Sequence, residues 1–125
     1  MEKFKDLAGK YQIELILVFG SQVEGTVHPE SDVDIAVYSK HVLTEAEKIN
    51  ITYELCNILQ TEKVDLVDIK TASPLLKKKI FENYTVLHQK DALLLYQLEL
   101  ASLYEYKESE VLYQIRRERL QESIG

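Results

Sequence analysis

The sequence predicts a single α/β (α+β) domain, and three observations predict it. Apolar runs of strand length alternate with segments whose apolar residues recur every three or four positions. The 125 residues are 46% hydrophobic and 29% charged, an ordinary globular balance for one core. A polar stretch rich in turn-forming residues, with Gly20, Ser21, Gly25 and Pro29, separates the first two apolar runs.

The elements follow in order. Phe4, Leu7, Ala8 and Tyr11 have the spacing of an amphipathic helix from about Glu2 to Gln12. Leu15 to Phe19 reads as a buried strand, and Asp32 to Tyr38 as a second strand beyond the polar loop. Thr44-Glu45-Ala46-Glu47 has capping-box spacing, and Ile49, Tyr53 and Cys56 with Leu55, Ile58 and Leu59 make an apolar stripe to about Gln60. Val64 to Ile69 is the third strand. Ser73-Pro74 supplies an N-cap and a first-turn proline for a short helix to about Glu82, and Tyr84 to His88 reads as a short fourth strand. The core thus runs from about residue 1 to 88. From 91 to about 121 there is no glycine or proline, and Leu93, Tyr96, Leu100, Leu103, Leu112 and Ile115 predict one long helix or two. Arg116, Arg117 and Arg119 are expected in its last turns, where they complement the helix dipole.

Charge and composition exclude several classes. A net charge of −6 argues against direct binding of nucleic acid, which needs a basic surface to displace counterions. The N-terminus lacks the apolar region of a signal peptide, and no apolar run approaches membrane-spanning length, so a cytoplasmic protein without a membrane partner is expected. The single cysteine, Cys56, reads as a small buried hydrophobe in a reducing compartment.

The chemistry lies between the first two strands. Gly20-Ser21 ends one, and after ten intervening residues Asp32-Val33-Asp34 begins the next. A Gly-Ser turn lets phosphate oxygens approach the backbone and offers N–H donors and a hydroxyl. Asp32 and Asp34, one residue apart on an expected strand, leave the same face, so their carboxylates can share divalent cations, which points to Mg2+. A third carboxylate is expected from Lys63-Val64-Asp65-Leu66-Val67-Asp68, where Asp65 and Asp68 face opposite sides of the sheet, so only one of them joins the cluster. Such a set fits a two-metal displacement at an α-phosphorus, with pyrophosphate leaving and the third acid near the acceptor proton. Gly20, Ser21, Asp32 and Asp34 would meet this spacing by chance in roughly one chain of this length in several hundred.

This pattern resembles the signature of the DNA polymerase β-like nucleotidyltransferase superfamily, and the chain is especially similar to its minimal nucleotidyltransferases across about residues 15 to 70. The resemblance implies a mixed sheet of three to five strands flanked by helices. By position it implies Gly20 and Ser21 as holders of the triphosphate, Asp32 and Asp34 as metal ligands, and Asp65 rather than Asp68 as the third acid. Many relatives carry arginine after the Gly-Ser pair, where this chain has Gln22, followed by Glu24. Minimal members are often antitoxins paired with a HEPN-domain ribonuclease toxin. The resemblance therefore implies transfer of AMP from ATP to a tyrosine hydroxyl of that toxin, with two Mg2+ ions. The rivals are an antitoxin that acts by binding alone and transfer to a small hydroxyl compound. HEPN ribonucleases carry an arginine followed by a histidine, and none follows Arg116, Arg117 or Arg119.

Other residues carry less. His28 in the motif loop reads as solvated, and His41 and His88 lack neighbours at zinc-ligand spacing. Lys77-Lys78-Lys79 reads as a solvated helix face, with an acidic partner or a nucleotide tail as the alternatives. Tyr96, Tyr104, Tyr106 and Tyr113 crowd the C-terminal region as core or interface contacts, and that region offers an apolar face for self-association or a partner.

Overall fold

A computed structural model describes residues 2–20 and 32–124, with side chains through Arg119. The elements run α1 (Glu2–Tyr11), β1 (Ile13–Phe19), β2 (Val33–Ser39), α2 (Glu45–Leu59), β3 (Val64–Asp68), a 3-10 turn (Ile69–Thr71), α3 (Pro74–Glu82), β4 (Tyr84–Gln89) and α4 (Ala92–Ile124). Four strands form one mixed sheet in the order β3-β2-β1-β4. β1 pairs antiparallel with β2 and β4, and β2 pairs parallel with β3. The parallel pair needs a crossover, which α2 supplies.

Each face of the sheet is covered by a different pair of helices. Ile16, Ile35 and Val37 point to one side, where they pack with Leu7 and Ala8 of α1 and Ile51 and Leu55 of α2. Leu15, Leu17, Phe19 and Ala36 point to the other, against Ile80 of α3, with Leu95 and Leu98 of α4 at the margin. From Leu15 to Phe19 and along β2 the period-two alternation assigns side chains to layers, while Ile13, before the register shift at the start of β1, packs on the α1 and α2 side.

The ends of the elements have visible causes. Thr44 and Glu47 form a reciprocal capping box at α2, and Ser73 caps α3 ahead of Pro74, both as the sequence predicts. Gln60 closes α2 in the left-handed conformation. The third strand stops at Asp68 instead of Ile69, because the Asp68 carboxylate accepts from the Lys70 N–H and turns the chain into the 3-10 segment. Asp32 lies one residue ahead of β2 rather than within it.

Three expectations about the helices need correction. The buried stripe of α2 is Ile51 and Leu55, flanked by Ile58 and Leu59, whereas Ile49 and Tyr53 are 68% and 69% exposed. The C-terminal region is one helix of 33 residues, and it continues to Ile124. Arg116, Arg117 and Arg119 therefore sit before its last turn and beyond the reach of its dipole. Of the two roles expected for the tyrosines, core or interface, the core role does not hold for Tyr96, Tyr104 and Tyr113, which are exposed, since α4 contacts the domain mainly through α3 and every described residue from Lys107 onward is exposed.

Candidate active site

Strand register builds the site at one end of the sheet. Phe19, the last residue of β1, lies opposite Asp34 of β2, and Asp34 lies opposite Asp65 of β3. Ala36 and Val67, each two residues further along, pack into the layer beneath α3 and α4. Asp34 and Asp65 therefore leave the sheet on that same face, side by side on adjacent strands. Asp32 follows the motif loop directly, and a 2.7 Å hydrogen bond from Val33 N–H to the Lys63 carbonyl pins the start of the parallel pair beside it.

Gly20 closes against this cluster. Its φ of +79° is a left-handed conformation that suits glycine, and a Cβ built there would lie 2.7 Å from Oδ2 of Asp34. Backbone and carboxylate thus share a space that no side chain could enter. Ser21, His28, Gln22 and Glu24 lie outside the described residues.

The electrostatics agree with the register. Burial is the main reason that the Asp34 carboxyl is held above its ordinary pKa; the charges of Asp65 and then Asp32 push it further, while Lys79 opposes them. Asp34 thus feels both other acids and one cation of α3.

The two candidates for the third acid do different things. Asp65 is exposed at the site. Asp68 has its carboxylate on the opposite face, 4% exposed, accepting from Leu43 N–H at 3.0 Å and from Lys70 N–H at 3.0 Å. Its oxygens are committed to holding the chain after β2 and the turn after β3. The alternation that separates the two was readable in the sequence, but the strand register that sets Asp65 beside Asp34 was not.

All the donors on hand are carboxylate oxygens, which suit a hard divalent cation. Among the described residues no group of three or more His, Cys, Asp and Glu side chains is placed to hold a metal ion. Asp34 and Asp65, side by side, are two such donors, and Mg2+ is commonly bound through one or two carboxylates while water and substrate phosphates fill its other positions. Elsewhere, Lys77 and Lys78 pair with Glu105 and Glu82 at 3.0 and 2.5 Å, so two of the three lysines of that run have acidic partners within the chain. His41 meets Glu47 at 3.0 Å. No helix among the described residues is long and apolar enough to cross a membrane.

A glycine turn set against strand-borne acids, at the end of a mixed sheet with helices on both faces, is the framework of the nucleotidyltransferase fold. The chain belongs to the polymerase beta nucleotidyltransferase family, whose model matches residues 2–93. It is 36% identical over 69 residues to the protein adenylyltransferase MntA of Shewanella oneidensis, a match covering 55% of this chain and 49% of that protein. The chain thus spans about half the length of this curated relative. In fold it is similar to a chain of a toxin–antitoxin crystal structure with AMP-PNP, at a TM-score of 0.80 and 24% identity, covering 96% of this chain and 97% of that one. A chain from the complex of a tri-AMPylated Shewanella oneidensis HEPN toxin with MNT antitoxin gives a TM-score of 0.73 and 22% identity, covering 96% and 94%.

Proposed function

We propose that this chain is a Mg2+-dependent nucleotidyltransferase antitoxin that moves AMP from ATP to a tyrosine hydroxyl of a partner HEPN ribonuclease toxin. The observation that carries this reading is the pairing of Asp34 with Asp65 across β2 and β3, directly against the backbone of Gly20. The names of the similar proteins support the protein acceptor and the nucleotide: one is a protein adenylyltransferase, one was solved with AMP-PNP, and one complex holds an AMPylated HEPN toxin.

The residues divide the work by position. Gly20, with Ser21 after it in the motif, presents backbone N–H groups and a hydroxyl to the triphosphate, and the missing side chain at Gly20 lets phosphate approach the carboxylates. Asp32, Asp34 and Asp65 are the ligands for Mg2+, which when bound neutralises phosphate charge and lowers the pKa of the acceptor hydroxyl. Asp65, the most open of the strand acids, receives the acceptor proton. The tyrosine oxygen bonds to the α-phosphorus, the bond from that phosphorus to the α,β-bridging oxygen breaks, and pyrophosphate leaves with the electron pair. The adduct adds charge and bulk to the toxin, which explains inactivation of a nuclease that must bind RNA phosphates.

Labelled ATP tests the reaction class. With the HEPN protein and Mg2+, label at the α-phosphate should pass to the partner and label at the γ-phosphate should leave as pyrophosphate. Label retained from the γ-position would mean phosphoryl transfer and end this reading. Stable complex formation with no transfer from any nucleotide would establish an antitoxin that acts by binding.

A further inference from the structure

Three consecutive lysines on α3 have three different surroundings. Leu76 and Ile80 define the stripe that α3 lays on the sheet, with Ile80 fully buried. At about 100° per residue, Lys77 and Lys79 fall on opposite flanks of that stripe. Lys77 turns towards α4 and pairs with Glu105. Lys78 pairs with Glu82 and lies 4.9 Å from the centre of the Tyr106 ring, again at α4. Lys79 is left on the flank away from α4, exposed, on the sheet face from which Asp34 and Asp65 emerge. Among the described residues it makes no ion pair or hydrogen bond. The last turn of α3, which carries it, stands at the same end of the sheet as the acids: α3 is followed at once by β4, whose first residue, Tyr84, pairs with Phe19, and Phe19 lies opposite Asp34.

The site has a use for such a cation. Three carboxylates and a triphosphate leave an excess of negative charge even when divalent cations are shared between them. An ammonium on a capped helix, anchored through Ile80 and without an ion-pair partner among the described residues, is placed to meet phosphate oxygens. We infer that Lys79 contacts the triphosphate of the bound nucleoside triphosphate and sets the site's preference for triphosphate over monophosphate. This rests on the nucleotidyl-transfer reading above. Lys77 and Lys78 hold α3 against α4 and take no part in binding.

The test is calorimetric titration, in Mg2+, of a non-hydrolysable ATP analogue and of AMP into the full chain and its Lys77→Met, Lys78→Met, Lys79→Met and Lys79→Arg variants. Lys79→Met should weaken the analogue by about tenfold or more, as loss of a charge-assisted contact does, with AMP affinity and Tm unchanged. Lys79→Arg should keep most of the affinity. Lys77→Met and Lys78→Met should bind as the parent does, with a lowered Tm. Unchanged affinity in Lys79→Met, or equal loss of analogue and AMP, would overturn the assignment. A parent chain that binds neither nucleotide would instead remove the nucleotidyl-transfer reading, and the role of Lys79 with it.

Discussion

At the scale of single residues, the account turns on who can occupy the space beside Asp34. Gly20→Ala places a methyl 2.7 Å from Oδ2 of Asp34, on a backbone at φ +79° that alanine resists. Displacing that carboxylate should lower transfer by about 100-fold, the scale on which a 1 Å misplacement acts, at a stability cost of about 1 kcal/mol. Turnover and Tm of the variant measure both. Asp65 and Asp68 should separate cleanly. Asp65→Asn should abolish transfer while moving stability by less than about 0.5 kcal/mol, because the side chain is exposed. Asp68→Ala should cost about 3 kcal/mol by stranding the N–H groups of Leu43 and Lys70, measured by denaturant unfolding. The sequence displayed both acids and their opposite faces. It could not display which face the site would use, because that depends on β2 lying parallel to β3 with Asp34 opposite Asp65. That Gly20 stands at a turn was legible, because a Gly-Ser pair ends an apolar run, whereas its left-handed conformation was not.

At the scale of elements, a polar contact ties β4 to α4. Tyr84 donates its hydroxyl to Glu99, and its phenol pKa is pushed up to about 12, chiefly by burial and then by the bond to Glu99 and that residue's charge. Between the ordinary value of 10.0 and about 12, the folded state holds a proton that the unfolded state gives up. Stability should therefore be full below pH 10 and fall as pH rises through that window. Tyr84→Phe should cost about 1 kcal/mol at neutral pH and lack this alkaline fall, both read from unfolding curves at a series of pH values. Most element boundaries were legible, because capping boxes, Ser-Pro starts and period-two apolar runs are local signals. The misreadings were of two kinds. Ile49 and Tyr53 are apolar by type but turn away from the sheet, so type alone misplaced them. α4 runs past the arginines that looked like its end, since nothing in the sequence stops it before Ile124.

At the scale of the whole molecule, the two sheet faces have separate tasks. α1 and α2 close one face with aliphatic packing, while α3 and α4 lie over the other, at whose end Asp34 stands between Gly20 and Asp65. A 33-residue helix extends about 50 Å, and its described distal part, with Val111, Leu112, Tyr113 and Ile115, is exposed. Helices gain most of their stability from tertiary packing, so the distal half of α4 should show little protection from hydrogen exchange in the isolated chain and gain it when the HEPN partner is added. Unchanged exchange in the complex would place the partner elsewhere on the surface. The central claim is that these acids transfer AMP to a protein. Intact-mass analysis of the HEPN partner, after incubation with this chain, ATP and Mg2+, tests it most directly. The account predicts a gain of one or more AMP masses, absent with EDTA and absent with the Asp32→Asn/Asp34→Asn double variant. The same gain from the double variant would contradict it.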